Sequence, residues 1–195
     1  MNRFETQFIP GACALLAILA SGCSKQTEST PPPANTEPTA AAGPAWFEEC
    51  AAESGIDFVH VSGHVKDFVF PEIMTSGAAL FDMDGDGDLD AYLVQGGSWS
   101  QKNGARDKAP GNQLYANDGS GHFTNVTAGS GADDRGYGMG VTTGDYDGDG
   151  DIDLFVSNLN RNTLLRNDGS GHFEDVTEEA GVGGNVWSAS AAFLD

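Results

Sequence analysis

Five aspartates stand on alternate positions in "FDMDGDGDLD" (81–90), and "GDYDGDGDID" (144–153) repeats the arrangement. Two carboxylates about 4 Å apart repel by roughly 1 kcal/mol even in bulk water, and by more near a protein surface. A fold that gathers Asp82, Asp84, Asp86 and Asp90 therefore needs a cation among them, or it must leave the loop open. An accidental acidic turn is not expected to recur with the same internal spacing. The chain is therefore read first as a repeat.

Aligned against itself, the sequence yields three further blocks. "FEECAAESGI" (47–56), "FTNVTAGSGA" (123–132) and "FEDVTEEAGV" (173–182) share a Phe, a polar pair, a small apolar residue and a late glycine. Cys50 stands where the other copies have Val126 and Val176, which predicts a buried small hydrophobe and not a nucleophile or metal ligand. "NQLYANDGSGHFTNVT" (112–127) matches "NTLLRNDGSGHFEDVT" (162–177), and "SGAALFD" (76–82) matches "ASAAFLD" (189–195). In order, each repeat holds a small-residue apolar strand, the acidic loop, a second apolar strand, a third, and a fourth reached through "NDGSG". Those turn residues tolerate positive φ and suit a hairpin. Four short antiparallel strands per repeat describe a propeller blade better than a sandwich or solenoid. The expected fold is all-β: a partial β-propeller over 46–195, with about two four-stranded blades and the start of a third. Asp195 falls on the first position of a third acidic loop, and the series is expected to continue in a longer natural chain.

The loop spacing fits calcium. Ca²⁺ takes six to eight oxygens, and an EF-hand loop supplies them from positions 1, 3, 5, a main-chain carbonyl at 7, and 9, with glycine at 6. Counted from Asp82, these positions fall on Asp82, Asp84, Asp86, Asp88 and Asp90, with Gly87 at the sharp turn. Asp145, Asp147, Asp149, Asp151 and Asp153, with Gly150, repeat the set. An EF-hand proper is excluded, because its bidentate glutamate would fall on Leu93 and Val156 and strands flank the loops. Asp88 and Asp151 are expected to offer main-chain carbonyls, leaving their side chains outside the first coordination sphere. Magnesium is disfavoured by its demand for near-ideal octahedral geometry. The cofactor expected is Ca²⁺, in two complete loops and a third begun at Asp195.

"DMDGDGDLD" followed by "NQLYANDGSGHFTNVT", and "DYDGDGDID" followed by "NTLLRNDGSGHFEDVT", resemble the FG-GAP/VCBS repeat, the calcium-loop blade of integrin α-chain propellers. The leading "WFEECAAESGIDFVHVSG" and "FPEIMTSGAALFDMDGDGDLDAYLVQGG" are similar to the ASPIC/UnbV, or cartilage acidic protein, family, with the chain as its N-terminal part. The resemblance covers 46–195. It implies a seven-bladed β-propeller, a secreted or surface location, and calcium ligation by Asp82, Asp84, Asp86, Asp90, Asp145, Asp147, Asp149 and Asp153. The family's C-terminal module is not among these residues, so none of its functions is assigned.

The N-terminus reads as an export signal. "MNRFETQF" is a short polar start, "IPGACALLAILA" an apolar run too short to span a bilayer, and "SGC" a small-residue ending. Ala20-Ser21-Gly22-Cys23 resembles a bacterial lipobox, so residues 1–23 are taken as a lipoprotein-type signal with Cys23 the lipidated residue. Ser24 after the cysteine is similar to lipoproteins sent to an outer membrane. Residues 24–45, rich in Pro, Thr and Ala, cannot bury a core and form an extended tether. The location expected is outside the cytoplasm, lipid-anchored to a bacterial membrane and otherwise secreted, with membrane contact only through the anchor. Cys13 leaves with the signal and Cys23 is acylated, so Cys50 has no partner for an internal disulfide.

Net charge bounds the partners. At −20, the chain is a poor match for nucleic-acid phosphates or anionic lipid, and favours cations, basic protein surfaces or neutral ligands. The stretch 95–110 gathers Trp99, Lys102, Arg106 and Lys108 in a chain with nine basic residues, and insertions on one face of a repeat fold often bind. His122 and His172 recur in "GSGHF", which points to a structural role. His60 and His64 lack metal-binding spacing, and no nucleophile elbow, phosphate loop or dinucleotide fingerprint occurs. The leading reading is a non-catalytic, calcium-binding surface propeller for protein or glycan interaction. The alternative is the propeller portion of a secreted carbohydrate-active lyase or hydrolase, which needs a metal-free His, Tyr, Lys or carboxylate constellation in a central cleft.

Overall fold

The alternation of apolar strands with Asp-Gly and Asn-Asp-Gly turns folds each repeat into a four-stranded antiparallel meander. A computed structural model describes residues 46–64, 66, 69–97 and 109–194. Cys23 and the segments 1–23 and 24–45, the basic and aromatic part of 95–110, and Asp195 lie outside the described residues.

In the first sheet, β1 (Gly77–Phe81), β2 (Asp90–Val94), β3 (Gln113–Asn117) and β4 (Phe123–Asn125) pair in sequence order. In the second, β5 (Gly138–Gly144), β6 (Asp153–Asn158), β7 (Thr163–Asn167) and β8 (Phe173–Asp175) do the same. Phe81 pairs with Asp90 and Gly144 with Asp153, so each acidic loop closes the first hairpin of its sheet. Asn117 pairs with Phe123 and Asn167 with Phe173, which places the "NDGSG" turns at the same end as the acidic loops. β2 and β4 end, and β3 and β5 begin, at the opposite end. These are two consecutive blades of a β-propeller.

Small residues on the first strand of each blade let neighbouring blades approach. A Cβ added to Gly77 would stand 2.9 Å from the Cα of Gly140, and Gly138 donates its N–H to the Gln95 carbonyl at 3.1 Å. The core fills the space between the sheets: Phe81, Tyr92, Val94 and Leu114 meet Leu154, Val156, Leu165 and Phe173. Phe81 and Phe173 stack edge to face with centroids 6.3 Å apart. Each such fully buried side chain contributes roughly 1.5–3 kcal/mol. Tyr92 carries a hydroxyl into this core and satisfies it by donating to the Ala132 carbonyl at 2.8 Å.

Each fourth strand is locked by the matching turn of the preceding copy within this chain. The Ser54 carbonyl accepts the Phe123 N–H at 2.7 Å, and the Ser130 carbonyl accepts the Phe173 N–H at 2.6 Å. The third copy forms a single helical turn, α1 (Thr177–Ala180), ended by left-handed Gly181. Within 57–64 and 69–75, Val59, Val61, Ser62 and Thr75 attach at the end opposite the acidic loops. Gln95 donates to the Val59 carbonyl and accepts from the Val61 N–H, Tyr137 donates to the Ser62 carbonyl, and Thr75 donates to the Gly138 carbonyl.

One expectation fails here. Cys50 is exposed, whereas Val176 in the matching position is buried. Val126 and Val176 continue β4 and β8, and their N–H groups donate to the Leu114 and Leu164 carbonyls. The segment 47–50 precedes β1, belongs to no strand, and leaves Phe47 93% exposed.

Candidate metal centres

The expected carboxylates converge in two equivalent triads. Asp82, Asp84 and Asp86 offer oxygens that all lie within 4.8 Å of one another, and so do Asp145, Asp147 and Asp149. The loop backbone holds them. Gly85 and Gly87 donate their N–H groups to Asp82 at 2.8 and 3.0 Å, and Asp88 donates to Asp86 at 2.9 Å. In the second loop, Gly148 and Gly150 donate to Asp145 at 2.7 and 3.0 Å, and Asp151 donates to Asp149 at 2.9 Å. Alternation along the loop thus turns three side chains of each set toward one point.

Asp90 and Asp153 stand apart from the triads. They open β2 and β6, and their exposures are 2% and 0%. Asp90 accepts the Met83 N–H at 2.9 Å on one oxygen and the Asn117 N–H at 2.8 Å on the other. Asp153 does the same with Tyr146 and Asn167, both at 2.8 Å. Each carboxylate thereby ties the start of its acidic loop to the third strand of its blade. Burial raises both pKa values above the ordinary carboxylate range, against the lowering effect of these amides.

The seventh-position side chains turn away toward the neighbouring hairpin. A Cβ on Gly119 would lie 2.5 Å from Asp88 Oδ2, and one on Gly169 equally close to Asp151 Oδ2. The carboxylate packs directly against the glycine of each "NDGSG" turn, and the positive φ of Gly119 and Gly169 favours glycine there. Desolvation, joined by Asp149, Asp145 and the other acids nearby, raises the Asp151 pKa. In the same turns, Asp118 and Asp168 accept from Ser120 and Ser170, and these bonds hold both carboxyls below their usual range.

Asn117 and Asn167 are the residues that reading the sequence missed. Both look like turn formers, yet each also braces its acidic loop: Asn117 Nδ2 donates to the Leu89 carbonyl and Asn167 Nδ2 to the Ile152 carbonyl. Their repetition at the last position of β3 and β7 was the available signal. His122 and His172 lie against the preceding copy's turn, His172 Nδ1 standing 3.2 Å from the Gly129 carbonyl.

The donor set in both loops is oxygen alone, without sulfur or imidazole. That is the chemistry of a hard divalent cation. A model of the FG-GAP-like repeat matches residues 82–156 and, overlapping them, 145–195. The chain belongs to the FG-GAP-like repeat family. Both matches begin on the first aspartate of an acidic loop, so the family repeat and the structural blade share one register. No curated protein matches the chain as a relative.

Proposed function

We propose that this FG-GAP-repeat protein is a calcium-stabilised, non-catalytic interaction module held outside the cytoplasm. The observation that carries the reading is the recurrence of one oxygen-only triad at the same end of consecutive blades. In each loop the three triad carboxylates would bind first, joined by the main-chain carbonyl of Asp88 or Asp151. Asp90 and Asp153 accept one amide per oxygen and so keep a lone pair on each for the same ion. Such a set reaches the six to eight ligands of calcium better than the octahedron of magnesium. The ion would neutralise mutual repulsion among the acids and fix both loops. We place the chain in the ASPIC/UnbV branch on the leading stretch 46–97.

The partner surface proposed lies at the opposite end, where the 95–110 insertion emerges. A groove of about 340 Å³ there is lined by Gln113, Asn125, Thr127, Asp133 and Arg135. Arg135 Nη1 donates to the Ala109 carbonyl, which sets the insertion's end at its rim. Hydroxyl-rich glycans or polar protein loops suit such a lining, and the net charge of −20 disfavours nucleic acid.

A chelator titration tests the calcium reading. Ion that binds only the folded loops at about ten times its dissociation constant adds about 1.4 kcal/mol per loop. The melting temperature should fall by several degrees on chelation and recover in millimolar calcium but not in equal magnesium. A melting curve indifferent to chelator would reject the reading. The anchor has its own test. Cys23→Ser should remove lipid labelling and release the protein from membranes, because one acylated terminus is the only membrane-seeking feature proposed. Wild-type protein found unlipidated by intact mass would defeat that part.

A further inference from the structure

The two acidic loops are joined through buried groups. Met83 lies between Asp82 and Asp84, and Tyr146 between Asp145 and Asp147. The Met83 carbonyl accepts a 2.8 Å hydrogen bond from Nδ2 of Asn167, a residue of the second blade. Asn167, itself 2% exposed, donates its main-chain N–H to Asp153 Oδ1 at 2.8 Å. The other oxygen of Asp153 accepts the Tyr146 N–H, also at 2.8 Å. Three hydrogen bonds thus run from the second residue of one loop to the second residue of the other. Packing follows the same path, since a Cβ on Gly171 would lie 3.1 Å from the Met83 sulfur.

Asn117 provides an internal comparison. It repeats the in-blade contacts of Asn167, to Asp90 and to the Leu89 carbonyl. The bond from Asn167 to Met83 crosses between blades and is an addition to that shared set.

We propose that Asn167 couples the two loops, so that calcium in one raises the affinity of the other. The proposal rests on the calcium reading above. An ion that fixes Asp82 and Asp84 fixes the Met83 peptide between them. The fixed carbonyl holds the Asn167 side chain, whose backbone holds Asp153 and, through it, Tyr146. The first ion therefore bears most of the ordering cost of the shared groups, and the second finds them already set. Burial of both Asn167 bonds keeps water from substituting for them. Linkage requires the effect to be equal in both directions.

The experiment is calorimetric titration of calcium alone into the chelator-treated full chain. Asp84→Ala silences the first loop and Asp147→Ala the second. Each remaining loop should bind about 5-fold or more weakly than it does beside a filled neighbour. Asn167→Ala should abolish that difference, whereas Asn117→Ala, which loses only in-blade bonds, should retain it. A second readout needs no change at Asn167. In the Asp147→Ala chain, calcium entering the first loop should slow hydrogen exchange at the Asn167 and Tyr146 amides. Two loops of independent affinity, or exchange unchanged by calcium, overturn the coupling and leave the calcium reading intact. No calcium binding by the wild-type chain overturns both.

Discussion

Gly131→Ala should destabilise the protein by about 3–5 kcal/mol, a loss visible as a large drop in thermal midpoint. Gly131 has φ +81°, and a Cβ there would lie 2.0 Å from the carbonyl oxygen of Phe173. The left-handed backbone alone costs an alanine about 1–2 kcal/mol. The clash adds more, because the obstructing atom is backbone and cannot rotate aside. Relief requires moving β8 away, which stretches the 2.6 Å bond between Ser130 and Phe173 and loosens the Phe81–Phe173 contact. Gly129 separates these causes. Its φ is +86°, yet nothing lies within 4 Å of its added Cβ. Gly129→Ala should therefore cost only the backbone share, about 1–2 kcal/mol. Equal losses in the two variants, by denaturant titration, would show that the contact between copies contributes nothing.

That contact also marks how far the sequence could be read. The strands were legible because their period, the acidic loops and the "NDGSG" turns repeat together, and the blades follow those boundaries. The triads were legible for the same reason, since alternate residues of a short Gly-rich loop face one side. What alternation conceals is which aspartate leaves solvent. Asp90 and Asp153 look like the other four in each loop, but as first residues of β2 and β6 they enter the sheet and meet two backbone amides. Cys50 misled for a related reason. Repeat alignment carried over a burial that Val126 and Val176 owe to the strands before them, and 47–50 follows no such strand. Residues 57–75 have no counterpart in the second repeat. Their attachments among the described residues include single side chains, Gln95, Tyr115, Tyr137 and Thr75, that no local pattern announces.

The division of labour among the aspartates leads to the second large effect. Asp153→Ala should cost about 3–5 kcal/mol in the absence of calcium, because it leaves the buried N–H of Asn167 and the half-buried N–H of Tyr146 without their acceptor. Burial of the charge opposes this only in part. It raises the Asp153 pKa, so the neutral isostere should be milder. Asp153→Asn keeps one acceptor and turns an amide donor toward the other N–H, which predicts a loss of about 1–3 kcal/mol. Asp147→Ala should behave in the opposite way. Its carboxylate is exposed in a cluster of like charge, so removing it relieves repulsion and leaves metal-free stability within about 0.5 kcal/mol. Its loss should instead appear on adding calcium, as a reduced rise in melting temperature. Chemical denaturation of the three variants, each with chelator and with calcium, gives the ranking. If Asp147→Ala destabilises the metal-free chain as much as Asp153→Ala does, the triads are part of the structural frame, and assigning the metal-free bracing to Asp153 is wrong.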